Sequence, residues 1–210
     1  MENRFEADRL QCVHAAHVAR APSGCAHHHS EKATELLSDE HRLIERVLAV
    51  LQKLTTKPVE KSLDCWRKTL DFFSHFADQC HHFKEEQVLF PAMEERGIPR
   101  DGGPIGMMLT EHEEGRGLVK LMLAAIALME TKNEVAKEIL IDKTKAYLRL
   151  MKDHIQKEDE VLFRIADDVI PADEQKALLR SFEEHEAKEI GEGVHEKYLK
   201  LVEELEKHHS

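Results

Sequence analysis

Apolar residues recur along most of this chain at intervals of three and four, the rhythm of helices with one buried face. Leu37, Ile44, Leu48 and Leu51 mark a first helix, with Ser38 or Thr34 as cap candidates and an end near Thr55 to Pro58. A second runs from about Ser62 to Arg96, where Gly97-Ile98-Pro99-Arg100-Asp101-Gly102-Gly103 breaks it. Pro104, a favoured first-turn residue, opens a third that continues to about Thr131. A fourth covers about Asn133 to Val169, and a fifth runs from Pro171 to about Lys207, interrupted or softened at Gly191 and Gly193. Short connections make successive helices antiparallel neighbours. The pattern therefore predicts an all-α fold, an up-down-up-down four-helix bundle with an added C-terminal helix, in which helices two and four are diagonal and parallel.

Composition agrees with that reading. The chain has 210 residues, 41% hydrophobic but only 5% aromatic, enough for one sizeable core. A net charge of -11 argues against nucleic acid or an anionic membrane as partner, since both need a basic patch. No apolar run approaches the roughly 20 residues of a membrane span. Met1 to Leu10 lacks the apolar centre of a secretory signal, so a cytoplasmic location is expected, with Cys12, Cys25, Cys65 and Cys80 as free thiols. Residues 1–30 form a Cys/His-rich extension, including Cys12, Cys25 and His27 to His29, whose spacing fits no closed zinc pattern; residues 31–210 form the helical domain.

Chemistry enters through a segment that occurs twice. His81-His82-Phe83-Lys84-Glu85-Glu86-Gln87-Val88-Leu89-Phe90 and His154-Ile155-Gln156-Lys157-Glu158-Asp159-Glu160-Val161-Leu162-Phe163 share His first, Lys-Glu fourth and fifth, and Val-Leu-Phe at the end. His-x-x-x-Glu alone is weak, because Glu is abundant and the spacing also occurs at His27/Glu31, His41/Glu45, His82/Glu86 and His185/Glu189. The apolar flanks fix the register. Trp66, Leu70, Phe73, Ala77, His81, Glu85, Val88 and Ala92 form one buried stripe, and Leu140, Thr144, Tyr147, Met151, His154, Glu158, Val161 and Ile165 another. A Glu at a core position needs a compensating cation, and a metal bound by these His/Glu half-sites supplies it.

The other two helices offer the further donors. His41 lies in the stripe of the first and His112 in that of the third, each the only His on its core face. His112 is 19 residues before Thr131 and His154 is 21 residues after Asn133, so the two lie at nearly one height. A lone His in such a stripe is more often a core residue with a hydrogen-bond partner. Four at one level with two glutamates reverse that expectation.

These residues together resemble the hemerythrin-like, or HHE cation-binding, family. The match lies in Asp39-Glu40-His41, His81-x-x-Lys84-Glu85-x-x-x-Leu89-Phe90-Pro91, Glu111-His112-x-x-x-Arg116 and Asp153-His154-Ile155-x-Lys157-Glu158-x-x-x-Leu162-Phe163, and covers about residues 35 to 205. The resemblance implies a non-haem di-iron centre, oxo- or hydroxo-bridged, with His41, His81, His112 and His154 as terminal ligands and Glu85 and Glu158 bridging two iron ions. Manganese or zinc are substitutes that the donor types allow. Ferritin-like proteins use Glu-x-x-His, in the reverse order and at a different spacing.

One departure bears on function. Oxygen-carrying members place a second ligating His four residues after that of the third helix, where this chain has Arg116. Four imidazoles leave one more coordination position open than five. The resemblance thus leans toward members that bind or sense O2, NO or a related oxidant, and away from reversible oxygen transport. A peroxide- or NO-consuming di-iron oxidoreductase, or an iron donor for iron-sulfur cluster repair, is the alternative, and no catalytic residue is assigned. The expected partner is a small diatomic ligand or peroxide. His75 and His82, on a face beside the ligand face, are read first as surface or interface residues, with a supporting or fifth-ligand role as the alternative. Tyr147 is read as core or as a donor to a bound ligand, and His185, Glu186 and Glu189 as solvated. Gly115 and Gly117 either admit a small ligand or permit close helix packing.

Overall fold

The computed structural model describes residues 30–129, 133–191 and 194–207, and among them the only regular structure is helical. The Cys/His-rich stretch with Cys12, Cys25 and His27 to His29 lies outside the described residues.

Helix α1 spans Ala33–Leu54. The Glu35 carboxylate accepts hydrogen bonds from the Glu31 and Lys32 amides at 2.9 and 3.3 Å, covering donors that a helix start leaves exposed. The two cap candidates, Thr34 and Ser38, lie inside the helix instead. Their hydroxyls donate to Asp167 at 2.7 Å and Asp159 at 3.0 Å, drawn away from the backbone by carboxylates on another helix. After a short turn of 3-10 helix at Val59–Lys61, α2 occupies residues 63–94. Gly97, at a φ of 85°, then turns the chain where a side chain would be strained. Helix α3 is Pro104–Met129. Helix α4 occupies 134–169 and is capped by the Asn133 side chain, which accepts from the Val135 amide at 3.0 Å.

The fifth helix is interrupted, one of the two forms expected of it. Helix α5 begins at Ala172 and reaches Ile190, Gly191 breaks it at a φ of 99°, and α6 is Val194–Lys207.

Helices α2, α4 and α5 contain wide π-helical turns, at Phe73–His82, Glu85–Leu89, Glu158–Leu162 and Glu186–Ile190. In two of them the amide five residues on bonds the carbonyl of a predicted ligand: Phe90 N–H donates to Glu85 and Phe163 N–H to Glu158. A π turn spends an extra residue, so the inward stripe advances by one. Leu89 and Met93 are buried where Val88 and Ala92 were expected, and Leu162 and Ala166 where Val161 and Ile165 were.

Two apolar clusters result. One gathers Ile44, Leu51, Trp66, Phe73, Met122 and Tyr147 with residues of α6, and the other gathers Leu37, Phe90, Met93, Ile105, Phe163 and Phe182. Along α1, α2 and α3 the predicted ligands fall between the two sets, and along α4 His154 sits beside Ile155 at the edge of the first set with Glu158 between the two, so a polar layer separates two apolar ones. No helix among the described residues is long and apolar enough to cross a membrane.

Candidate metal centre

The structure brings all six predicted ligands together. His41, His81, Glu85, His112, His154 and Glu158 are each at most 1% exposed. Glu85 reaches His81 Nε2 at 3.6 Å with one oxygen and His112 Nε2 at 3.4 Å with the other. Glu158 has one oxygen 3.2 Å from both His41 Nε2 and His154 Nε2, and its second is 3.6 Å from His112 Nε2. Each carboxylate therefore spans imidazoles from different helices. The four Nε2 atoms and four carboxylate oxygens are buried without a hydrogen-bond partner. A buried polar atom left unpaired forfeits about 1–3 kcal/mol, so eight such atoms that face only one another at 3.2 to 3.6 Å call for a compensating charge, from a cation or from protons on the rings. A cation between them removes that cost, and the donor set of imidazole nitrogens and carboxylates suits iron, manganese or zinc.

The outward nitrogen of each ring is equally specified. His41 Nδ1 faces Asp159 at 2.8 Å, His81 Nδ1 faces Glu40 at 2.9 Å, His112 Nδ1 faces Glu86 at 2.7 Å and His154 Nδ1 faces Glu111 at 3.0 Å. Each carboxylate comes from another helix, and the order is cyclic: α1 holds the imidazole of α2, α2 that of α3, α3 that of α4, and α4 that of α1. A proton fixed on Nδ1 leaves the Nε2 lone pair directed inward, which is how outer carboxylates prepare imidazoles for a metal. Cations stand behind the carboxylates in turn. Lys84 pairs with Glu40, Arg42 with Asp159, Lys157 with Glu111, and Arg116 with Glu86 at 2.6 Å.

Charge in the site follows from this arrangement. Burial opposes ionisation of Glu158, yet His154, His112 and His41 outweigh it and hold the carboxyl well below its ordinary range. Burial likewise opposes a charge on His41, but Asp159 and Glu158 push its pKa up to about 10. His112 and His154 are raised for the same reason. Protons on His41, His112 and His154 thus offset Glu158, and they occupy the atoms that a metal needs. In the outer shell, Lys84 and His81 hold Glu40 down at about 2 against the effect of burial.

The two repeats serve these roles position by position. His81 and His154 point inward, and Glu85 and Glu158 lie between helices. Lys84 and Lys157 grip the carboxylate behind their own helix's His, and Glu86 and Asp159 take the Nδ1 proton of the next helix's His. The Phe90 ring lies parallel to His112 at 6.1 Å and Phe163 parallel to His41 at 5.4 Å. The carboxylate doublets Glu85-Glu86 and Glu158-Asp159, and the pairs Glu40-His41 and Glu111-His112, were the sequence signal for this outer ring.

Some of the other residues depart from expectation and some meet it. His82 is buried, not at the surface, with its Nε2 unpartnered beside His112 and His154, whereas His75 is exposed and bonds within its own helix. His185 is buried as well, stacked on Phe83 at 3.3 Å with Nε2 facing the Gln79 carbonyl at 3.1 Å. Glu186 joins buried Lys84, so α5 braces the outer shell. Tyr147 lies edge-on to Phe73 at 5.0 Å in the core. Gly115 sits against Tyr147, Leu150 and Met151, which makes it a packing residue, while Gly117 has open space around it. Arg116 does not leave a gap: besides Glu86 it binds Asp78 at 2.7 Å and Glu113 at 2.8 Å.

Comparison with known proteins agrees with this geometry. The family model described as Hemerythrin HHE cation binding domain matches residues 32–166. Uncharacterized proteins of Mycobacterium tuberculosis and Mycobacterium bovis are each 27% identical over 179 residues, covering 83% of this chain and 69% of theirs. No solved structure matches.

Proposed function

Because the chain belongs to the hemerythrin HHE cation-binding family, we propose that it is a non-haem di-iron protein that binds or senses O2, NO or a related small oxidant. In this reading α1 to α4 run up-down-up-down. His41, His81, His112 and His154 would hold the two metals as terminal ligands, with Glu85 and Glu158 shared between them. The observation that carries it is the convergence of unpartnered Nε2 atoms and carboxylate oxygens from four helices in one dry layer. Two irons held there would supply redox-active Lewis acidity toward a small diatomic ligand. The protein's own contribution is orientation and exclusion of water: Asp159, Glu40, Glu86 and Glu111 hold the Nδ1 protons, and Phe90 and Phe163 cover the rings.

Two measurements test this. Iron-reconstituted protein should hold two metals per chain, and one metal would remove the dinuclear reading. Reduced, anaerobic protein should then change its absorbance on mixing with O2, NO or peroxide. Adducts without turnover support binding or sensing, and catalytic consumption of peroxide or NO would favour the oxidoreductase alternative.

A further inference from the structure

We propose that the outward face of α3 is an interface between two copies of this chain, with the two helices antiparallel and crossing at Gly117. The proposal concerns the reverse side of the helix that carries His112, and it is independent of what the centre binds.

A surface helix keeps its outward face polar, and one that is apolar all round is covered on both sides. Residues 117–129 of α3 carry a single charged side chain, Lys120. The inward face enters the core through Leu118, Val119, Met122 and Ile126. The outward face is apolar as well. Leu121 is 47% exposed, Leu128 43% and, further up the helix, Met107 53%. Met107, Gly117, Leu121, Ala124 and Leu128 fall on one seven-residue repeat, the spacing of a seam along which two helices pack. From Met107 to Leu128 that seam runs for roughly 30 Å. Single exposed Leu residues are ordinary on a protein surface, whereas a continuous apolar strip marks a contact.

Gly117 and the charges beside it say what covers the strip. Glycine weakens a helix interior, and a Cβ at this position would meet nothing within 4 Å, so no packing within one chain asks for it. In the seam, its missing side chain lets a second helix approach closely. Charge complementarity then selects a second copy and its direction. Glu113 and Lys120 lie seven residues apart on one flank of the seam, on either side of Gly117. In an antiparallel pair with a two-fold axis at Gly117, that flank faces its own copy, so Glu113 of each chain meets Lys120 of the other. The same axis sets Met107 of each chain beside Leu128 of the other. A parallel pair would instead stack Glu114, which lies in the seam, on its like-charged copy. Lys120 has no ion-pair partner among the described residues, and the Glu113 side chain is 74% exposed although Arg116 binds it at 2.8 Å.

The test is the oligomeric state of the metal-loaded, 210-residue chain by sedimentation equilibrium, which should show monomer and dimer in exchange. Gly117→Leu and Leu121→Glu should each weaken the dimer by more than about tenfold, since both strike the centre of the contact. Gly117→Leu should keep the melting temperature of the dilute protein at or above that of the wild type, because the space beside Gly117 is open and leucine is the better helix former. Lys120→Glu should weaken the dimer, and adding Glu113→Lys should restore it. A wild type that stays monomeric overturns the proposal and leaves residues 1–29 or a different protein to cover the face. A dimer indifferent to Gly117→Leu and Leu121→Glu overturns it by placing the interface elsewhere. Failure of the double charge exchange to restore the dimer overturns the antiparallel crossing. Should Leu121→Glu fail to fold, Gly117→Leu decides alone.

Discussion

Each inward imidazole depends on a carboxylate that never touches the metal position, and this makes the outer ring testable one residue at a time. Asp159→Ala should lower affinity for Fe(II) about 10- to 100-fold, because the His41 ring loses the partner that fixes its Nδ1 proton. Asp153→Asn serves as the control, since Asp153 is exposed and adjoins His154 without orienting it. Chelator competition reads both, and equal affinities would show that His41 is oriented by packing alone. The convergence of the six buried ligand candidates was legible in the sequence because His and Glu interrupt stripes that are otherwise apolar. The burial of His82 was not. On an α-helix, consecutive residues point about 100° apart, so a stripe containing position 81 excludes position 82. The π-helical run Phe73–His82 relaxes that rule, and both rings are buried. The orienting carboxylates were also overlooked, although the doublets beside each ligand were visible, because each serves a ring on another helix.

At the scale of the helix, sequence periodicity found four long elements to within a few residues and then lost the register inside two of them. Periodicity assumes a constant 3.6 residues per turn, and the turns at Glu85–Leu89 and Glu158–Leu162 violate it where the ligands sit. The consequence separates two neighbouring residues. Val161 is 51% exposed and Leu162 only 1%. Val161→Ser should change stability by less than about 0.5 kcal/mol, whereas Leu162→Ala should cost about 2–5 kcal/mol through lost burial and a cavity. Thermal melts of metal-loaded protein decide. A larger loss at Val161 would restore the uniform α-helical register. Hydrogen bonding misled the reading at the start of α1 in a similar way: the hydroxyls of Thr34 and Ser38 would suit caps, but they serve carboxylates of α4.

Over the whole molecule, a charged layer lies between two apolar clusters, so the fold's stability depends on what neutralises Glu85 and Glu158. With metal bound, the cations do so. Without it, protons on the imidazoles must, and His41 keeps its proton up to about pH 10 because the carboxylates favour it over the opposing effect of burial. The sign follows from linkage. A histidine raised in the folded state adds stability that is complete below its unfolded pKa of roughly 6.5 and is lost as pH climbs through the folded value. Metal binding runs the other way, since the ring protons must leave before Nε2 can coordinate, and loading releases protons and strengthens with pH. Metal-free protein should therefore melt below loaded protein at pH 7, and the gap should widen toward pH 9.5. Glu85→Gln combined with Glu158→Gln should raise the melting temperature of metal-free protein and flatten its dependence on pH, because the neutral amides remove the charge that holds the ring protons. Calorimetric melts of loaded, metal-free and doubly substituted protein between pH 6.5 and 9.5 check this. Coincident melting curves across that range would mean that the two glutamates are compensated by water and that the layer is not built around a cation.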